Sequence, residues 1–112
     1  VTASYGGVAI GKNASASALG TNIAIGKNVG GSRGGVYIGE YASGSYGGVA
    51  IGKSVQAHGG NAVAIGNSQT AGDRLVQNVA VGYNNNVSGG VVVGLSNVTS
   101  ARQNHVILGI SN

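Results

Sequence analysis

A four-residue motif, Val-Ala-Ile-Gly or a close variant, occurs eight times in this 112-residue chain. Its closing glycines are 12 to 16 residues apart, with a mean spacing of 14. Such regular spacing indicates one short structural unit copied end to end. The motif is β-branched and is bounded by Gly, Asn and Ser, which predicts a strand of about four residues between turns. The closing glycines are Gly11, Gly26, Gly39, Gly52, Gly66, Gly82, Gly94 and Gly109.

The composition allows only a thin hydrophobic core. The chain has 23 Gly and no Pro, Cys, Met, Trp or Phe, yet 42% of its residues are hydrophobic, mainly Val, Ile, Ala and Leu. Disordered chains are poor in β-branched residues, and here these residues recur at a regular interval, so we expect a folded chain. The length and the unbroken repeat predict a single domain over residues 1–112.

A second short apolar position follows each motif and completes the repeating unit. Ala14 and Val29 each lie three residues after a motif glycine, and in the later coils we expect this position to shift to Ala71, Val87 and Val98. Two short strands and two turns in 14 residues predict an all-β parallel β-roll, a solenoid of about eight 14-residue coils. Stacking at ~4.8 Å per coil gives a rod roughly 35 to 40 Å long.

Alternation along a strand divides the motif between two faces. We expect the first and third residues, such as Val8 and Ile10, to face the interior of the roll. The second residue then faces outward, and because it is apolar in nearly every copy, a partner must cover it. A second copy of the chain is the natural partner, so we predict an obligate oligomer; three-fold assembly into a homotrimer suits a flattened roll, although the spacing alone does not count the subunits. The predicted trimer interface consists of Ala9, Ala24, Tyr37, Ala50, Ala64, Ala80, Val92 and Ile107.

The motif and its spacing resemble the YadA-like head domain of trimeric autotransporter adhesins. The resemblance rests on Val8-Ala9-Ile10-Gly11, on Asn61-Ala62-Val63-Ala64-Ile65-Gly66 and on the 14-residue period, and it covers nearly the whole chain. It implies a left-handed parallel β-roll trimer at the cell surface, carried on the bacterial outer membrane as an extracellular head. It also implies a role in virulence through attachment to host extracellular matrix, such as collagen or fibronectin, or to host-cell receptors.

One segment departs from this family pattern. Residues 73–80 look like the opening of the neck that follows such heads, but further copies of the motif come after them. We therefore predict a protruding loop over residues 69–77 instead of a true neck. Related heads also occur on phage tail fibres, where Asn-rich segments such as residues 84–89 are common. A structural spacer or shaft segment of a surface or phage tail fibre remains the alternative function.

The chain has too few acidic and histidine residues, too widely spaced, to predict an enzyme, a metal site or a cofactor site. The two carboxylates, Glu40 and Asp73, are about two coils apart, and neither His58 nor His105 has a clustered partner in the sequence. No catalytic constellation or metal-ligand set emerges from these residues. The left-handed β-helix acyltransferases are also trimeric solenoids, but their repeat is a hexapeptide. We therefore expect no enzymatic activity, no cofactor and no bound metal.

The charged residues suggest a binding surface along one edge of the roll. The formal net charge is +4, but the six Lys and Arg residues are spread along the chain, so we expect no nucleic-acid partner. No apolar run reaches transmembrane length, and the chain begins with Val1, so we expect a piece of a longer protein with no direct membrane insertion. Lysines directly after motif glycines should stack along one edge. The predicted ligand-binding surface comprises Lys12, Lys27, Tyr41, Tyr46 and Lys53.

Overall fold

The protein is a parallel β-solenoid of about seven turns. The computed structural model of the chain describes residues 2–3, 6–16, 22–58, 61–72, 78–99 and 106–111. Each coil contributes one strand to each of two parallel sheets, and each sheet has eight strands. The Cα atoms span 39 × 24 × 13 Å, so the long dimension agrees with the rod length predicted from the number of motifs. The prediction of an all-β parallel solenoid is confirmed.

The wide sheet is formed by the motif strands. Neighbouring motifs align residue by residue, so that Ala64 is the register partner of both Ala50 and Ala80. The eight strands are β2 (Val8–Ile10), β4 (Asn22–Lys27), β6 (Gly35–Glu40), β8 (Val49–Lys53), β10 (Val63–Asn67), β12 (Asn78–Tyr83), β14 (Gly90–Leu95) and β16 (Val106–Ile110).

The narrow sheet is formed by the shorter strands that alternate with these motif strands. It faces the wide sheet across the interior of the roll, and its strands pair in chain order. They are β1 (Thr2–Ala3), β3 (Ser15–Ala16), β5 (Gly30–Ser32), β7 (Ser43–Ser45), β9 (Gln56–Ala57), β11 (Thr70–Ala71), β13 (Asn86–Val87) and β15 (Val98–Thr99).

A left-handed turn follows each motif and leads the chain from the wide sheet to the narrow one. We call the side of the rod formed by each motif glycine and the next two residues the glycine edge. The second residue after the glycine has φ between 54° and 58° in all eight coils. From the second motif onward, its backbone N–H donates to the previous coil, as Asn28 does to the carbonyl oxygen of Lys12 at 2.9 Å. The eight residues are Asn13, Asn28, Tyr41, Ser54, Ser68, Asn84, Ser96 and Ser111.

The second residue of the motif faces the interior, which reverses the predicted orientation. Ala50 and Ala64 are fully buried, whereas Val8 and Ile10 are 43% and 56% exposed. Across the interior lie the small inward residues of the narrow sheet, including Ala57 and Ala71. In a rod only 13 Å thick, two facing layers of mostly small side chains fill the gap between the sheets, and the larger first and third residues of the motif point outward.

The predicted trimer interface is therefore wrong. Six of its eight side chains are fully buried inside the chain's own roll, and the other two, in the first and last strands of the wide sheet, are partly buried against the same core. Side chains already enclosed in this way cannot meet a second copy. The six buried residues are Ala24, Tyr37, Ala50, Ala64, Ala80 and Val92, and the two partly buried residues are Ala9 and Ile107.

Tyr37 has the largest fully buried side chain among the described residues. Its ring is fully buried, and glycines surround it: a Cβ at Gly31, Gly35 or Gly44 would collide with the ring or its hydroxyl. The hydroxyl oxygen has no hydrogen-bond partner among the described residues, and burial raises the pKa of this phenol. We predicted a subunit interface for Tyr37, but the structure places it inside the roll, where the missing side chains of its neighbours make room for it.

The third position after each of the first seven motif glycines is also buried, and it changes character along the rod. Ala14, Val29, Ala42 and Val55 occupy it in the first coils, and in the later coils it does not shift as we expected. Gln69, Asn85 and Asn97 occupy it instead and are fully or almost fully buried. Of the three residues predicted there, Ala71 and Val87 are buried two positions later, on the narrow sheet, and Val98 is 60% exposed.

These three amides form a hydrogen-bonded ladder between coils. The Asn85 Nδ2 donates to the Gln69 Oε1 at 2.9 Å, and the Asn97 Nδ2 donates to the Asn85 Oδ1 at 3.0 Å. The Asn85 Nδ2 also donates to the carbonyl oxygen of Gly94 at 2.9 Å, and the Asn97 backbone N–H donates to the Asn85 Oδ1 at 3.0 Å. Because Asn85 joins both neighbours, its side chain holds three coils in register.

We expect Asn85→Ala to lower the free energy of unfolding by about 2 to 4 kcal/mol, because it leaves several buried donors and acceptors without partners. Chemical denaturation at a fixed protein concentration measures this change. Asn86→Ala is the matched control, because the adjacent Asn86 is exposed on the narrow sheet. Equal stability losses in the two variants would contradict a stabilising ladder.

The structure describes only the first four residues of the protruding loop that we predicted at residues 69–77. These four residues continue the regular coils of the roll, because β11 pairs in register with β9 and β13 and Gln69 is buried. The loop therefore does not begin at residue 69. Residues 73–77, where the rest of the predicted loop falls, lie outside the described residues.

Candidate binding surface

The outer face of the wide sheet is apolar along its whole length. It carries the first and third residues of all eight motifs, which are sixteen Val, Ile or Leu side chains in two parallel columns. They range from half-buried to strongly exposed, and Val106 and Leu108 reach 74% and 73%. At ~4.8 Å per strand, eight strands and two columns cover on the order of 350 Å². A contiguous apolar patch of this size matches the largest patch on a typical monomeric protein, and such patches are often functional.

The opposite outer face, on the narrow sheet, is mainly polar and uncharged. Its outward positions carry hydroxyl and amide side chains such as Ser43, Gln56 and Thr70, which are register neighbours. Val98 is the large apolar exception in this column. The two outer faces of the rod therefore differ in polarity, and the face on the wide sheet is the one suited to an apolar partner.

The glycine edge carries most of the charged side chains that we predicted as a ligand-binding surface. Lys27 and Glu40 are register partners, as are Glu40 and Lys53, and the Lys27 Nζ lies 3.6 Å from the Glu40 Oε1. Both side chains of this ion pair are about half exposed, so the pair adds little to stability. Lys12 belongs to the same column through the hydrogen bond that its carbonyl oxygen accepts from Asn28.

The two tyrosines of the predicted surface lie on different edges. Tyr41 is on the glycine edge, where its ring centroid is 6.0 Å from the Lys27 Nζ. Tyr46 lies at the other end of β7, on the opposite edge, where the Arg33 guanidinium is 4.6 Å from its ring centroid. Each tyrosine therefore pairs with a cation one coil earlier. The structure groups Lys12, Lys27, Tyr41 and Lys53 and separates Tyr46 from them.

Sequence reasoning missed Arg33 and the outward aliphatic columns. Arg33 lies 13 residues before Tyr46, which is one coil, so the period alone would have placed the two side chains together. The aliphatic columns were recognised as a set but were assigned to the interior.

The remaining candidates give no further site. Glu40 and His58 lie in the described part of the chain, whereas Asp73 and His105 fall outside the described residues. Within the described ranges, no three His, Cys, Asp or Glu side chains come together in a group that could hold a metal ion. The described part also contains no helix with the length and apolar character required to cross a membrane.

Comparisons with known proteins leave the chain without an assigned relative: no family model, no curated protein and no solved structure matches it.

Proposed function

We propose that this chain is the head module of a trimeric surface adhesin, which attaches a bacterial cell to host matrix or to a host-cell receptor. The observation that carries the proposal is the apolar outer face of the wide sheet, with its sixteen aliphatic side chains. This face suits burial against copies of the same chain. The polar face and both edges then remain outward for a ligand.

The assembly we propose differs from the one we predicted from the sequence. The first and third residues of each motif form the subunit contact, and the second residue fills each subunit's own interior. Removing roughly 350 Å² per chain from water contributes on the order of 9 kcal/mol per subunit before the entropic cost of association. The motif and period that the chain shares with trimeric adhesin heads favour three copies over two.

We expect the purified chain to have a molar mass of three times 10.8 kDa in light scattering at micromolar concentration. Ile51→Lys should dissociate or aggregate this assembly, because it places a charge within the apolar contact. Gln56→Lys is the matched control: Gln56 follows in the same coil but is exposed on the narrow sheet, so its variant should remain assembled.

A stable, soluble monomer of the unmodified chain at these concentrations would contradict the proposed assembly. A mass of twice 10.8 kDa would show that two sheets pack face to face and would exclude the three-fold arrangement. Dissociation of the Gln56→Lys variant would show that the contact lies on the narrow sheet.

The attachment role is tested by the binding of the assembled protein to collagen, to fibronectin and to whole host cells. Three copies and repeated coils provide avidity, so a weak contact on each coil supports measurable attachment. Binding to at least one of these surfaces is the expected result. An assembled rod that binds none of them is a spacer or shaft segment of a surface or tail fibre.

A further inference from the structure

Two exposed tyrosines occupy backbone positions that are unfavourable for them. Tyr41 and Tyr46 have φ of 58° and 59°, in the left-handed region that bulky side chains rarely adopt. The other seven residues at the position of Tyr41 are Asn or Ser, and Asn61 occupies the position of Tyr46 one coil later. The turns can therefore be made with small polar residues, and turn geometry does not account for the tyrosines.

Both tyrosines lie in the charged part of the rod. The charged side chains of the described residues all fall between residues 12 and 53, and the described part of residues 61–111 has none. Four of these five side chains are cationic. They are Lys12, Lys27, Arg33, Glu40 and Lys53.

Each tyrosine presents an aromatic ring next to a cation. The Arg33 guanidinium lies over the Tyr46 ring at 4.6 Å, and the Lys27 Nζ lies 6.0 Å from the Tyr41 ring. Arg33 and Lys27 are exposed and Tyr41 is 50% exposed, so these groups are accessible to a ligand. Only Ser43–Ser45 is extended between them, so the tyrosines lie at most roughly 16 Å apart, a distance that a few linked sugar rings would span.

The uncharged strand between the tyrosines adds hydrogen-bonding groups. The outward column of the narrow sheet carries Ser43 on β7 and Gly30 on the preceding β5, so the surface on these two strands is low, and the longer side chain of Gln56 follows on β9. Ser43 and Ser45 are partly exposed. Hydroxyl groups flanked by aromatic rings and cations form a surface that suits a polyhydroxylated, negatively charged chain.

We propose that the coils of residues 22–58 bind an acidic polysaccharide, in which sugar rings stack on Tyr41 and Tyr46 and the carboxylate or sulfate groups meet Lys27, Arg33 and Lys53. This inference rests on the proposed attachment function and names its ligand class. A polynucleotide, with a charge on every phosphate, would require a denser set of cations. An acidic peptide would use the cations but would not require the two strained tyrosines.

The test uses the complete chain and measures its binding to heparin, polysialic acid, neutral dextran and polyglutamate. We expect binding to heparin or polysialic acid that weakens with added salt, and no binding to dextran. Tyr41→Ser and Tyr46→Asn introduce residues found at equivalent turns, and each should weaken the binding roughly tenfold, the equivalent of one lost aromatic contact. Lys27→Gln should weaken it as well.

Tyr83→Ser is the matched control. Tyr83 is 52% exposed on the glycine edge, close to the 50% of Tyr41, but the described residues of its part of the rod, 61–111, include no charged side chain. Its variant should bind like the unmodified chain. Because Ser54 occupies the position of Tyr41 and Asn61 has nearly the same left-handed φ as Tyr46, circular dichroism should show that the Tyr41 and Tyr46 variants remain folded.

Several results would overturn the inference. Equal binding to polyglutamate and to the acidic glycans would show a charge effect without sugar recognition. Unchanged binding in the Tyr41 and Tyr46 variants, or an equal loss in the Tyr83 variant, would remove the role of these tyrosines. Attachment to collagen, fibronectin or cells without glycan binding would leave the proposed function standing and refute this ligand. A lack of attachment to every surface and glycan would refute both.

Discussion

We expect Gly52→Ala to lower the free energy of unfolding by about 3 kcal/mol or more, a large fraction of the total stability of an ordinary domain. Gly52 has φ of 135°, which alanine rarely adopts. A Cβ at this position would also collide with the carbonyl oxygen of Gly66 in the next coil. This oxygen belongs to the backbone of the wide sheet, so the collision cannot be relieved by rotating a side chain.

Thermal unfolding followed by circular dichroism measures this effect, and Gly72→Ala is its control. Gly72 has no left-handed φ, and a Cβ there would meet only the Thr70 Cγ2, at 3.4 Å, which is an ordinary contact. We expect the Gly72 variant to melt within a few degrees of the unmodified chain. If Gly52→Ala melted at the same temperature as this control, the glycine column would not be required for the stacking of coils.

The second large effect is expected from Tyr37→Ala, which should cost about 3 to 5 kcal/mol because it leaves a cavity in the centre of a thin core. Gly44→Ala alone should also be destabilising, because its Cβ would meet the Tyr37 ring and the carbonyl oxygen of Ala57. In the double variant, alanines would face each other as Ala57 and Ala64 do elsewhere in the roll. We therefore expect the double variant to lose less stability than the sum of the two single losses.

A double-mutant cycle by denaturant unfolding determines this coupling. Tyr41→Ala serves as a control in the same cycle, because the Tyr41 side chain is half exposed on the glycine edge, whereas Gly44 is buried on the narrow sheet. It should show no coupling to Gly44→Ala. Additive losses for Tyr37 and Gly44 would mean that the glycine does not serve to accommodate the ring.

The motif predicted most of the fold, because its information is local and repeated. Alternation of Val, Ala and Ile predicted the strands, and the spacing of the glycines predicted parallel stacking in register, as seen for Gly52 and Gly66. A repeat of this kind leaves few alternative arrangements. The stacking of Lys27, Glu40 and Lys53 along one edge followed from the same register.

The orientation of the strands could not be derived from alternation. A period of two shows that Val49 and Ile51 share a face and that Ala50 has the other, but it does not say which face is inside. Side-chain volume determines which face is inside, because the side chain of Ala50 fits between two close sheets and that of Ile51 does not. The signal was present in the sequence at Tyr37, whose bulk is matched by Gly31 and Gly44 one coil apart on the narrow sheet.

The interior amides were missed because we expected apolar residues at buried positions. Gln69, Asn85 and Asn97 keep the spacing of three residues after the motif glycine, and only their polarity led us to look elsewhere. A buried amide is stable where neighbouring coils offer donors and acceptors at a fixed repeat, as the bonds of Asn85 show. In a solenoid, position in the coil is therefore a better guide to burial than residue type.

Each coil presents nearly the same backbone to the coil before it and the coil after it, with one motif glycine and one left-handed turn in fixed places. In evolutionary terms, an in-frame duplication or loss of one whole coil would leave both junctions matched. The length of such a rod can then change in steps of ~4.8 Å without the invention of a new core. In the proposed adhesin, the reach of the head can then be selected independently of the residues that bind.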